Sequence, residues 1–367
     1  MTNFRERQDN RLDLKWAHPD LAAETSGNWQ VPGLMSTFFD MKDKDPEENI
    51  EDRISQREYM LEMALDGESE KKKARGEWKF VKAPGCPEEP GTECDVCLRI
   101  PKQVELAEGE KYPVIFEIPG GGNYIAGSYE YYMNMLDAQM KHHKAVVCSF
   151  NYRTCVEAPY PAAINDCHAA YQYLLDHADE LNIDTDRIVI HGFSTGAQFA
   201  LCLGFRLKRY GIKPRGIVSS LPIVDDVNNN QSGTFSFYNE ETGSIDAWDA
   251  EGIRLTMQLW LGEHYGDPTL LPEALPSRAT VEDCIGYPPV WFPIIGEMDS
   301  SRDATLDFIR TLHAANVFVD YHVWGGINHN STVTGTGAAL SELMAQGDDF
   351  NIETALKYDF SRPWTEQ

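Results

Sequence analysis

Gly192-Phe193-Ser194-Thr195-Gly196 fits the pattern G-x-S-x-G. In that pattern the serine sits on a sharp strand-to-helix turn, and the glycines leave room for the packing that lifts its hydroxyl clear of the sheet. Five residues can match by chance, but the setting here is specific. Ile188-Val189-Ile190 reads as a buried strand, and Ala197 to Leu207 is apolar nearly all round, as a helix beneath a sheet should be. Ser194 is the expected nucleophile. A serine hydroxyl needs a base, the base needs an orienting carboxylate, and on this turn the chain order is serine, acid, histidine.

Ten histidines are available. Those before Ser194 have the wrong order, and His191 lies in the strand that feeds the serine. His264 falls in an insertion, His313 on a helix and His322 in a strand. His329 ends Gly325-Gly326-Ile327-Asn328-His329, a loop after the last strand, at the sheet edge where catalytic groups collect. It is the expected base. Val290 to Ile295 leads into a loop with three competing carboxylates. Asp303 opens the next helix, an ordinary capping place, and Glu297 lies nearest the strand, whereas Asp299 at the apex is favoured.

Acyl transfer also needs N–H donors aimed at the developing oxyanion. Pro119-Gly120-Gly121-Gly122-Asn123 follows the strand-like Val114 to Ile118, and its glycines let the chain turn amides inward. Gly121, Gly122 and Thr195 are the expected donors. The loop matches neither the P-loop nor G-x-G-x-x-G, which argues against a phosphate site. Phe193, Asn123 and Tyr124 flank these groups and, with Trp248 and Trp260 of the insertion, are candidates to line a substrate pocket. Packing of the two tryptophans onto the core is an equally good reading.

The elements that must position these residues alternate. Pro113 to Ile118, Ala145 to Phe150, Arg187 to Ile190, Gly216 to Ile223, Val290 to Ile295 and Val317 to Trp324 read as strands. Helical patterns separate them, including one opened by Pro161 and one over Asp303 to Ala315. The expected fold class is α/β, a mostly parallel sheet with helices on both faces. Residues 1–75 are polar and helical, with an amphipathic helix over Ile54 to Leu65. Residues 225–285 interrupt the rhythm with Asn228-Asn229-Asn230 and then an aromatic-rich stretch, an insertion whose length suits a lid. The catalytic domain is then 76–224 with 286–367, under a cap made of 1–75 and 225–285.

Composition narrows the partners. The formal net charge of −26 repels phosphate backbones, so nucleic acid is not an expected partner. Acidic clusters such as Asp45 to Glu51 read as solvated faces and loops. No apolar run is long enough to span a bilayer, and Met1 to Lys15 lacks an apolar signal core, so a cytoplasmic setting is expected. Eight cysteines show no compact disulfide framework. Cys94 and Cys97 form one C-x-x-C without a second ligand pair, and strand alternation should put them on opposite faces, so no metal is assigned there.

With these residues in view, the chain resembles the hormone-sensitive-lipase-like branch of the α/β-hydrolases from about Trp78 to Trp324. Asn151-Tyr152-Arg153, Pro159-Tyr160-Pro161-Ala162-Ala163 with Asp166, and Leu181 to Ile188 are similar to that branch's stretches around the nucleophile. His18-Pro19-Asp20-Leu21 is similar to the opening of its cap. The resemblance implies an α/β-hydrolase fold with a helical cap, the triad Ser194, Asp299 and His329, and hydrolysis of short acyl esters. Two departures stand out: Pro119 replaces the histidine that usually opens the glycine loop, and Phe193 replaces a commonly acidic residue. The expectation is a carboxylic-ester hydrolase that uses an acyl-enzyme and no metal or organic cofactor, on a small or medium uncharged ester. A homodimer is compatible with this reading. Amide or lactone hydrolysis would use the same constellation. A non-catalytic ligand-binding receptor or a lyase on the same scaffold is the rival reading.

Overall fold

A computed structural model describes residues 45–102, 104, 106–124, 127–235, 238–239, 244–245, 249–331 and 339–361. The segment His18-Pro19-Asp20-Leu21 and the pocket candidate Trp248 lie outside the described residues.

Helix α1, Pro46–Asp66, starts well before the apolar pattern at Ile54. Asp45 caps it, accepting from Glu47 N at 2.9 Å, and Pro46 occupies the first helical position. Part of the acidic run read as a solvated face or loop is thus the exposed first turns of a helix. A short α2, Glu70–Arg75, leads into the hairpin β1, Gly76–Pro84, and β2, Glu93–Pro101. Then follow β3 (Tyr112–Ile118), α3 (Met133–His143), β4 (Val146–Phe150), α4 (Ala162–Asp176), β5 (Ile183–Phe193), α5 (Thr195–Arg209) and β6 (Gly216–Ser220). The insertion carries a minimal hairpin, β7 (Tyr238–Asn239) with β8 (Ser244–Ile245), then α6 (Ala250–Leu261) and the single turn α7 (Val281–Cys284). The chain returns to the sheet through β9 (Val290–Gly296), α8 (Arg302–Ala314), β10 (Val319–Trp324) and α9 (Ala339–Lys357).

The eight-stranded sheet has the order β1-β2-β4-β3-β5-β6-β9-β10. Pairing is antiparallel where β1, β2 and β4 meet and parallel from β4 through β10. The expected mostly parallel sheet with helices on both faces is present. β6 stops at Ser220, short of the predicted Ile223, because Leu221 adopts φ 52° and Pro222 has no N–H to give a neighbour.

Strand alternation divides the core. Val114, Phe116, Ile118, Ile188 and Ile190 face one large cluster with residues of α4, α5, α6 and α8. Ile115, Val189, Val218 and Trp291 face the other side, toward α3 and α9. Cys94 and Cys97 fall in opposite clusters, as alternation predicts, and all eight cysteines are free thiols.

The second face also holds a charged knot. His191 of β5 bonds Asp348 of α9 through Nε2 at 2.7 Å and Glu117 of β3 through Nδ1. Gln139 donates to Glu117 at 2.9 Å, and Ser220 Oγ donates to Asp348 at 2.6 Å. Burial opposes a charge on His191, yet the two carboxylates outweigh it and hold the imidazolium well above the ordinary histidine range. Among the described residues no helix is long and apolar enough to cross a membrane.

Candidate active site

β5 feeds directly into α5, and Ser194 sits at the junction with φ 58° and ψ −121°, a conformation that costs a non-glycine residue free energy and is held by its surroundings. Its N–H donates to Ser220 O at 2.9 Å, which ties the turn to β6. Gly196 must be glycine, since a Cβ there would lie 2.0 Å from Ile118 O. The close approach of the glycine-loop strand to the helix start therefore accounts for the second glycine of G-x-S-x-G.

Three side chains distant in sequence form one line. Ser194 Oγ lies 2.7 Å from His329 Nε2, and His329 Nδ1 lies 2.7 Å from Asp299 Oδ2. All three are at most 8% exposed. The other oxygen of Asp299 accepts from Ser301 N and Ser301 Oγ, both at 2.8 Å. In the tautomer that donates Nδ1–H to Asp299, Nε2 accepts from Ser194 Oγ, an arrangement that can activate a serine hydroxyl.

The competing carboxylates are sorted by what they touch. Glu297 accepts from Gly326 N at 2.9 Å and so pins the loop that carries His329. Asp303, in the first turn of α8, accepts from Ser232 N at 2.9 Å and from Arg302 Nε at 2.8 Å. Asp299 faces His329.

The glycine loop keeps its backbone in unusual regions, with φ 123° at Gly121 and 65° at Gly122, and Thr195 is the first residue of α5. The dipole of α5 places partial positive charge beside the serine. Tyr152 Oη donates to Pro119 O at 2.9 Å. A backbone carbonyl thus anchors the loop where the resembling branch has a histidine.

The pocket candidates go to different places. Asn123 is buried at φ 57°, and neither end of its amide has a hydrogen-bond partner among the described residues. Tyr124 reaches α1 instead, where Asn49 Nδ2 donates to its hydroxyl at 3.4 Å and Arg53 donates to its carbonyl. Phe193 packs on Leu221, Ile294, Ile327, Leu340 and Met344, with its ring 6.4 Å from that of His329. Trp260 is 1% exposed, 5.3 Å from the ring of Phe199 and 5.7 Å from that of Tyr160. It belongs to the main core and packs the insertion onto α5, the second of the two readings of that tryptophan.

Sequence reading missed Ser301, Ser220 and the loop-anchoring role of Tyr152. Ser301 had a signal, since Asp299-Ser300-Ser301 is a short acid-to-hydroxyl spacing typical of a local side-chain turn. Ser220 acts on the turn through its carbonyl, which has no residue-specific signature.

Residues 119–333 match the α/β-hydrolase fold family. Esterase LipI of Mycobacterium tuberculosis is 29% identical over 210 residues, 57% of this chain and 62% of LipI. Hormone-sensitive lipase of Mus musculus is 28% identical over 105 residues, 28% of this chain and 14% of that protein. Among solved structures, the bacterial heroin esterase superposes with a TM-score of 0.75 at 26% identity, covering 94% of this chain and 99% of that one. The match to LipI thus spans less than two thirds of that relative's length.

Proposed function

Because the chain belongs to the α/β-hydrolase fold family, we propose that it is a serine carboxylic-ester hydrolase working through an acyl-enzyme. The observation that carries this reading is the continuous line from Ser194 Oγ through His329 to Asp299, with 2.7 Å at each step. Ser194 attacks the ester carbonyl while His329 takes its proton, and Asp299, fixed by Ser301, holds the imidazole in the tautomer that can accept. The amides of Gly121, Gly122 and Thr195 receive the oxyanion, helped by the α5 N-terminus. His329 then protonates the departing alcohol. A water, deprotonated by the same base, releases the acid.

Helix α1 and the described residues of the 225–285 insertion belong to the cap in this reading. The bonds from Asn49 and Arg53 to Tyr124, and the packing of Trp260 on Phe199, bring both segments to the elements that carry the site. Loss of polar groups at Pro119 and Phe193, together with the acidic chain, favours uncharged esters over anionic ones. The names of the relatives, esterases and a hormone-sensitive lipase, favour esters over amides. A panel of p-nitrophenyl esters of rising chain length tests the reading, with matched anilides as the amide arm. Turnover of the short esters that disappears in Ser194→Ala supports it. Anilide turnover that matches ester turnover would replace it with an amidase, and no labelling of Ser194 by a fluorophosphonate would remove the nucleophile altogether.

A further inference from the structure

The turn between β1 and β2 lays Cys86-Pro87-Glu88-Glu89 against helices α4 and α5. Cys86 is 1% exposed, and burial pushes its thiol up from the ordinary range. His168 of α4 is fully buried, and neither of its ring nitrogens makes a hydrogen bond among the described residues; its Nδ1 stands 3.4 Å from Glu88 Oε2. Glu88 uses Oε1 to accept from Tyr210 Oη at 2.6 Å and Arg209 Nη2 at 2.8 Å. Those bonds orient the carboxylate and turn Oε2 toward His168 and toward Arg206 Nη1, also 3.4 Å away. One sulfur, one carboxylate oxygen and one imidazole nitrogen thus lie within 4.8 Å of one another.

We propose that Cys86, Glu88 and His168 form a binding site for one zinc-type divalent cation, which fastens the β1–β2 turn to helix α4. A mixed sulfur, nitrogen and oxygen set suits a borderline ion such as zinc, whereas calcium and magnesium take oxygen ligands. Ligand atoms of a tetrahedral zinc site stand about 3.5 Å apart, so the three groups need close by little more than about an ångström. The fourth position is left to water. Binding takes Cys86 as the thiolate and releases its proton to solvent, with no change of oxidation state. Tyr210 and Arg209 act as the outer hydrogen bonds that hold a ligating carboxylate in place. Arg206 and Arg209 are balanced by Glu88 and Glu273, with Glu273 3.0 Å from each guanidinium. The ion and thiolate together add one positive charge there, which sets the affinity below that of an all-cysteine site. The site shares no residue with Ser194, Asp299 or His329, and stands or falls independently of the esterase reading.

Cobalt(II) titration of the full, metal-stripped chain tests it through the thiolate-to-cobalt absorption in the near ultraviolet. The expected result is a band that saturates at one equivalent, is displaced by zinc and is absent in Cys86→Ser. His168→Gln and Glu88→Gln should each weaken cobalt binding by at least about tenfold. Zinc should raise the Tm of the unaltered chain and not that of the variants. If Cys86→Ser does not fold, the His168 and Glu88 variants carry the same measurement. No thiolate band at excess cobalt, or a band that survives in all three variants, overturns the proposal. So does binding without the band, which would direct attention to His142, His143 and Asp349, a set also within 4.8 Å of one another.

Discussion

Two buried histidines flank the nucleophile elbow, and they are bonded in nearly the same way with opposite consequences. His329 has a carboxylate on one nitrogen and a serine hydroxyl on the other. His191, three residues before Ser194 on β5, has a carboxylate on each. A base must be able to give and take a proton within one turnover, which a single orienting carboxylate allows. Two carboxylates in a buried site hold the imidazole charged, which makes it a fastener. It clasps α9 to the sheet, and Ser220 connects that clasp to the elbow, since its hydroxyl bonds Asp348 while its carbonyl accepts from Ser194 N. In the proposed reaction one residue type serves as base at a sheet edge and as rivet on a sheet face, and among the described residues the carboxylates bonded to each ring separate the roles.

Substitutions at and around the two histidines separate base from rivet. The largest effect is expected from His329→Ala or Ser194→Ala, a fall in kcat of about a millionfold, with urea-denaturation midpoints little changed. A large loss of stability in His329→Ala would make it a rivet too. Asp299→Asn should lower kcat by about ten-thousandfold, because the amide favours the wrong tautomer of His329. Ester turnover by that variant within tenfold of the parent would point to Glu297 or Asp303 as the working acid.

His191→Gln should have the reverse signature. Leaving buried Glu117 and half-buried Asp348 without their cation costs about 3–5 kcal/mol in urea unfolding, with the smaller change in kcat. The pH dependence follows from the directions of the shifts. His191 is raised, so its contribution is complete below its unfolded value of about 6.5 and is lost as pH rises through the raised folded value. Asp348 is lowered by His191 and by Ser220 against the opposing effect of burial, so its share is present above about pH 3.9 and is lost as pH falls through the depressed value. The stability gap between the parent and His191→Gln should therefore be widest between about pH 4 and about pH 6.5 and narrow toward alkaline pH. A gap independent of pH would show that shape, rather than charge, holds the knot. The smallest effect is expected from Ser301→Ala, about a fivefold fall in kcat, since one hydrogen bond to Asp299 is lost while the Ser301 N–H bond remains.

Much of the site was legible because it is local or ordered along the chain. The strand, turn and apolar helix around Ser194 are contiguous, and glycines announce both the elbow and the loop at Gly120 to Gly122. The sheet could be read from buried strand runs, whereas α1 was read short because its first turns are held by the Asp45 cap and Pro46 rather than by apolar periodicity. The insertion was recognisable by its broken rhythm, yet rhythm carries no direction, and Trp260 had to be seen against Phe199 to be assigned to packing.

Local sequence carries the order of strands and helices and singles out Ser194 and His329 as candidates, because backbone turns and hydrophobic periods are properties of neighbouring residues. Which of Glu297, Asp299 and Asp303 faces His329 follows from packing, which brings Asp299 to it. Packing also sets Tyr152 against the loop where Pro119 stands, and clasps His191 between two carboxylates while His329 reaches Ser194. These outcomes depend on side chains separated by tens to hundreds of positions meeting within 3 Å. Packing sets such distances, and no local pattern encodes them.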